Sequence, residues 1–130
     1  MCVHCAITLA VVTRCVERPF EGAALQVGQG EQEFAQGLIA QTLDFTLIDV
    51  DDGMATFQGT PGARHMNPLG TVHGGWFATL LDSALGCAVH TKMPPGRAYT
   101  TAELSVNIVR ALTPKVQRVR AIGRVIHCGR

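Results

Sequence analysis

Asn67, His73, Gly74, Gly75 and Asp82 have the types and spacing needed to set an oxyanion donor near a carboxylate. The Asn67-Pro68 dipeptide leads through His73-Gly74-Gly75 into an apolar segment that carries one acid, Asp82. An ionised carboxylate among Ala, Leu, Cys and Val costs several kcal/mol to desolvate unless a neighbour or a reaction uses it. The N–H groups at the start of a helix have no intrahelical acceptor and sit at the positive end of its dipole. Gly74 and Gly75 can therefore offer N–H groups to a developing oxyanion. Asp82 supplies the base or nucleophile such chemistry requires. It lies about two turns further on, roughly 10 Å along the axis at the standard rise, which is wide for one chain to bridge. Each residue also has a purely structural reading. Asn67 before Pro68 initiates a turn, His73 is a hydrogen-bonded structural group where the alternative is to polarise the substrate or order the Gly74 loop, the two glycines allow a tight helix entry, and Asp82 bonds a neighbouring loop.

These residues need a helix and a sheet to hold them. Residues 75 to about 91 contain no Pro and run several apolar turns, which predicts a buried helix closed by Met93-Pro94-Pro95-Gly96. The positions three and four from Asp82 are Ala78, Thr79, Leu85 and Gly86, mostly small, so a substrate has room beside the carboxylate. Residues 43–50 alternate imperfectly and reach Asp51-Asp52-Gly53, a hairpin turn with Gly placed for positive φ, and 54–58 return as a strand. Residues 60–70 form a loop. Two further strands are predicted at 101–109, with Ala102, Leu104, Val106 and Ile108 on one face, and at 116–127, with Val119, Ala121, Gly123 and Val125 on one face. Thr113-Pro114 turns the chain between them. Residues 1–33 form a poorly defined N-terminal arm, Gly/Gln-rich near 27–32, with a short amphipathic helix expected around 33–41. The domain proper is 34–130.

At 130 residues the chain has one modest core, and a 47% apolar and 16% charged composition places it among globular proteins. A net charge of +1 names no partner, although eight basic residues against Glu103 alone follow residue 91. That stretch reads first as a solvated strand face, and second as a patch for the phosphates of a coenzyme. No aromatic residue interleaves it as nucleic acid binding would require. Cys2 and Cys5 have no second pair to complete a zinc site, and Cys87 inside the helix behaves as a small hydrophobe. His65, His90 and Cys87 share no metal-ligand spacing, so no metal is expected. Five scattered thiols fit a reducing compartment. The apolar run 6–12 is too short to span a membrane and lacks a basic flank, so a cytoplasmic protein is expected.

The pattern Asn-x5-His-Gly-Gly, with Asp82 nine residues past His73, followed by Thr101-Ala-Glu-Leu-Ser-Val-Asn107, resembles the hotdog-fold acyl-CoA thioesterases of the phenylacetate-pathway (PaaI-like) type. The resemblance covers residues 43–130. It implies an α+β fold in which a curved antiparallel sheet wraps one long central helix, and hydrolysis of an acyl- or arylacyl-CoA thioester without a cofactor. It further implies a homodimer or dimer of dimers with the site between protomers: Asn67, His73 and Gly74 from one chain, Asp82 and Thr101 from the other. Thr101 matches a hydroxyl that positions water near the carboxylate, yet strict alternation from Leu104 turns it away and makes Thr100 a rival. Relatives of this type would continue past Arg130 with two more strands between those at 116–127 and 101–109, which leaves the 101–109 strand without a ladder partner. Two other classes stand beside hydrolysis. One is a dehydratase or isomerase on the same fold, which would use a helix His instead of Asp82. The other is a non-catalytic acyl-CoA sensor or inactive fragment.

Overall fold

A computed structural model describes residues 13–16 and 38–128. The Cys2/Cys5 pair, the Gly/Gln-rich stretch and the first part of the 33–41 helix lie outside the described residues. The elements in chain order are β1 (Thr13–Val16), α1 (Leu38–Thr42), β2 (Phe45–Asp51), β3 (Met54–Gly59), a 3-10 turn (Ala63–His65), α2 (Gly74–His90), β4 (Ala98–Thr101) and β5 (Val119–Arg124). The antiparallel order β2-β3-β5 forms a three-stranded sheet, and β1 pairs with β4 in a separate two-stranded one. The imperfect alternation of residues 43–50 has a physical cause, a bulge between Leu47 and Asp49 in β2. Asp52 and Gly53, with Gly53 at φ +73°, make the hairpin turn between β2 and β3.

α2 is the axis of the fold. Trp76, Phe77, Leu80, Leu81, Ala84, Leu85 and Ala88 are buried, a broad stripe at three- and four-residue spacing that lies on β3 and β5. Phe45, Phe57 and Ala121 meet it from the sheet, and Phe57 and Leu80 are the largest fully buried side chains. Each of these two stabilises the fold by about 1.5–3 kcal/mol. The helix approaches the sheet closely because β5 has no side chain at Gly123: an added Cβ would lie 2.1 Å from the Ala84 carbonyl oxygen. On β5, Ala121 and Gly123 are buried while Arg120, Ile122 and Arg124 face outward, as the alternation predicts. Both ends of α2 are tied down. At the C-terminus, Thr91 Oγ1 accepts from the Gly53 N–H at 2.7 Å and donates to the Ala88 carbonyl. Lys92 pairs with Asp52 beside it. At the N-terminus, Trp76 Nε1 donates to the Leu43 carbonyl at 2.8 Å.

The strand expected at 101–109 is corrected. The ladder occupies Ala98–Thr101, and after a bend at Ala102 residues 103–109 carry no strand pairing. β4 is not without a partner either, because Thr13–Val16 from the N-terminal segment pairs along it in antiparallel register. Leu104 and Val106 still lean inward, and Val106 packs on the core, so alternation persists where the ladder does not. Among the described residues no strand lies between β5 and β4, which is why residues 103–109 have no backbone partners to make them a strand. The second expected strand is also shorter, Val119–Arg124 in place of 116–127.

Replacing Gly123 with Ala should lower the melting temperature by at least about 5 °C, since overpacking of this kind costs about 1–3 kcal/mol. Gly62→Ala is the matched control, because nothing lies within 4 Å of a Cβ there. Thermal unfolding followed by circular dichroism checks both, and equal melting temperatures for the two variants would contradict this account of the helix–sheet contact.

Candidate active site

The loop before α2 is built by Asn67. Its Oδ1 accepts from the Leu69 N–H at 2.9 Å and the Thr71 N–H at 3.2 Å, and its Nδ2 donates to Thr71 Oγ1 at 2.7 Å. The main chain closes the same turn, with Asn67 N–H donating to Thr71 O and Gly70 at φ +78°. Asn67 thus spends three of its four hydrogen-bonding positions on the loop and keeps one amide N–H in hand. The turn reading of Asn67 holds.

His65 has no metal-ligand spacing in the sequence, and the structure gives it another task. Only 5% exposed, it stacks on Trp76 with ring centroids 5.8 Å apart, and its Nδ1 accepts from the Gly62 N–H at 2.9 Å. A neutral ring that accepts at Nδ1 carries its proton on Nε2, so the Arg64 Nε approach to Nε2 at 3.3 Å is a packing contact and no hydrogen bond. The His65 carbonyl accepts from the His73 N–H at 2.8 Å and so fixes the entry to α2.

His73 is the N-cap of α2, at φ −64° and ψ 136°, and its Nδ1 accepts from the Gly75 N–H at 2.9 Å. The contact satisfies one of the orphan N–H groups of the first turn. The consequence for the site is larger. Gly75's N–H is occupied, and the Trp76 N–H goes to the His73 carbonyl, whereas the Gly74 N–H has no hydrogen-bond partner among the described residues. Gly74 itself is half-buried, with Ile108 Cδ1 3.2 Å from where its Cβ would stand. The oxyanion donor that this helix start can offer is the Gly74 N–H, at the positive end of the dipole.

Asp82 is half-buried on α2, about two turns from Gly74. Thr101 Oγ1 donates to its Oδ1 at 2.8 Å, and the exposed Thr100 takes no part. Alternation from Leu104 points away from Thr101 because the bend at Ala102 resets the parity of the chain. The structure therefore brings Asp82 and Thr101 together, and His73 and Gly74 together, as two separate halves of one chain. Burial pushes the Cys87 thiol up to about 11, which removes it as a nucleophile at neutral pH. Burial lowers the His90 pKa, and burial first, then Cys87 and Asp82, raises that of Tyr99. The sequence does not single out Tyr99. The one signal for it is the two-residue period of a strand, which places it on the same face as Thr101.

Among the described residues no group of three or more His, Cys, Asp or Glu side chains is placed to hold a metal ion. No helix among them is long and apolar enough to cross a membrane. Arg120 donates to Gln58 on the outward face of the sheet, which Arg124 shares, so this part of the basic stretch forms a solvated strand face.

Residues 69–130 match the family model described as the Thioesterase superfamily. No curated protein sequence matches the chain. Solved structures do. The conserved protein PA5202 from Pseudomonas aeruginosa is 27% identical with a TM-score of 0.71, over 76% of this chain and 78% of that one. A mutant of thioesterase PA1618 from the same organism is 25% identical with a TM-score of 0.68, over 82% and 78%. A mutant of the phenylacetic acid degradation protein PaaI from Thermus thermophilus is 27% identical with a TM-score of 0.59, over 71% and 76%. The match over residues 69–130, and the helix-on-sheet architecture shared with these structures, give this chain the hotdog thioesterase fold and make it similar to the PaaI-like proteins.

Proposed function

We propose that the protein hydrolyses acyl-CoA thioesters at a site assembled from two protomers, with Asp82 and Thr101 given by one and Gly74, His73 and Asn67 by the other. The observation that carries this reading is the Thr101 hydroxyl on Asp82 Oδ1, because it leaves the second carboxylate oxygen free and fixes its direction. The Gly74 N–H is the complementary part. It is a helix-start donor with no partner of its own among the described residues, set where the thioester oxygen gains negative charge. The two halves lie too far apart within one helix to grip a single carbonyl, and a second copy resolves that distance. Ile108 and Val109, 45% and 73% exposed, provide apolar surface beside Gly74 for such a copy.

The chemistry is then short. The partner's Asp82, as nucleophile or through a water it activates, adds to the thioester carbon. The carbonyl oxygen becomes an oxyanion held by the Gly74 N–H. Collapse expels the coenzyme A thiolate, a good leaving group. In the nucleophilic route water then hydrolyses the acyl anhydride left on Asp82. In the water route Asp82 takes the water's proton and passes it to the thiolate, and no cofactor is needed. His73 holds the geometry by taking up the Gly75 N–H, and Asn67 holds the loop while keeping one N–H for the substrate or the water. A dehydratase reading would need a helix His close to the substrate. His90 stands at the far end of α2, edge-on to Tyr99 at 5.8 Å and about two turns past Asp82, away from the carboxylate. A cytoplasmic setting, where coenzyme A thioesters and free thiols coexist, fits this role.

Asp82→Asn keeps an oxygen for Thr101 but loses the charge, and should cost ~10²–10⁴ in kcat with the fold intact. Turnover of a panel of acyl-CoAs at the parent rate would sink the assignment. Gly74→Pro deletes the donor at the one helical position where Pro fits, N1, after a residue already extended at ψ 136°. It should lower kcat by about 10²–10³. Gly74→Ala adds the same Cβ against Ile108 and keeps the N–H. Equal loss in both variants would mean that packing, and no hydrogen bond, is what Gly74 provides.

A further inference from the structure

We infer that Tyr99 closes the acyl end of this site and sets the length of acyl group it accepts, an inference that rests on the thioester reading above. Tyr99 and Thr101 are two residues apart on β4 and share a face. Asp82, Gly86 and His90, at successive four-residue steps, form one stripe of α2. The two rows meet: Thr101 bonds Asp82, Tyr99 lies over Gly86, and the Tyr99 ring meets His90 edge-on. The contact at Gly86 is close. An added Cβ would stand 2.6 Å from Tyr99 Oη and 3.1 Å from Cε2, so the phenol fills the volume a side chain at this position would take.

The stripe is therefore shut on the C-terminal side of Asp82 and more open on the other. Towards Gly75 it offers Ala78 and Thr79, both half-buried and small, and the Thr79 hydroxyl is returned to the Gly75 carbonyl at 2.9 Å. A carbonyl carbon held at Asp82 meets an apolar ring in one direction and a small-residue track in the other. The pantetheine arm of coenzyme A carries polar amides and belongs in the wetter direction. The acyl group then runs towards Tyr99. That end suits an uncharged chain, since the phenol, the Cys87 thiol and the His90 imidazole around it are all held neutral at neutral pH by burial. With Gly at 86 the Tyr99 ring packs directly on the helix, and both positions can be changed while Asp82 and Thr101 are kept.

The test is kcat/KM across saturated acyl-CoAs from acetyl to dodecanoyl, with binding of the matching S-alkyl-CoA thioethers by calorimetry. Tyr99→Ala should raise the long-to-short ratio by about 10-fold or more, since even one methylene of hydrophobic pocket is worth that much. Tyr99→Phe should keep the parent profile. Gly86→Ala, which forces Oη off the helix, should move the profile the opposite way and lose the longest chains first. It carries the test by itself if Tyr99→Ala does not fold. A profile that scales evenly across chain lengths in the folded variants would overturn the inference while parent turnover leaves the thioester reading standing. A parent that neither hydrolyses any acyl-CoA nor binds any thioether would overturn that reading and this inference with it.

Discussion

With no side chain at Gly123, the backbone of β5 comes so close to α2 that an added Cβ would stand 2.1 Å from the Ala84 oxygen, and the placement of the helix over the sheet follows from that contact. Ala84 lies near the middle of α2, two residues past Asp82. Fixing this point against the sheet fixes which face of the helix is buried and, by exclusion, which face carries Asp82. A second glycine, Gly59 on β3, does the same for Trp76: a Cβ there would meet its ring at 2.7 Å. The two contacts act like pins along one rod. Dense packing of this kind resists rotation of the helix, since a few tenths of an ångström cannot be absorbed by backbone atoms.

Once the helix cannot turn, its ends and its exposed stripe become fixed chemical features. The start is organised by a chain of contacts that runs from Trp76 to the stacked His65, from the His65 carbonyl to His73, and from His73 Nδ1 to Gly75. The last two links each use up a donor and an acceptor, and the donor left over at the helix start is the Gly74 N–H. On the stripe, β4 supplies a hydroxyl for Asp82 and a ring for Gly86. One strand of four residues thus sets both the carboxylate and the neighbouring volume. Its own support comes from Thr13–Val16 on one side, while residues 103–109 run on beyond it without a ladder.

The helix, the hairpin turn at Gly53 and the inward set of β5 were legible because each is a local pattern: a 3.6-residue stripe, an Asp-Gly turn, a two-residue alternation. The start of α2 at His73 and Gly74, and the carboxylate of Asp82 two turns along it, could likewise be placed from the local pattern. What escaped was everything that needs two distant segments. Thr101 looked misplaced because the alternation was read through Ala102, where the chain bends. Pairing of Thr13–Val16 with β4 joins residues more than eighty apart, and no local pattern encodes it. Tyr99 and His65 matter through one contact each, with Gly86 and with Trp76, and neither has a distinctive spacing. The resemblance singled out Gly74 over Gly75, but nothing in the local sequence supplied a physical reason for the choice. Only the direction of the His73 ring separates the occupied N–H from the available one.

The proposed activity requires the two halves of the site to meet across two copies of the chain. Subunit exchange between an Asp82→Asn protomer and a Gly74→Pro protomer tests it directly. Each mixed pair would hold one site with both groups intact and one with neither, a consequence of two-fold symmetry. Random exchange between equal amounts should restore about a quarter of the parent activity from two nearly inactive preparations. If mixed pairs form, as shown by mass-labelled protomers, and activity stays at the level of the separate variants, then Gly74 and Asp82 do not act on the same substrate from opposite chains and the shared site is wrong.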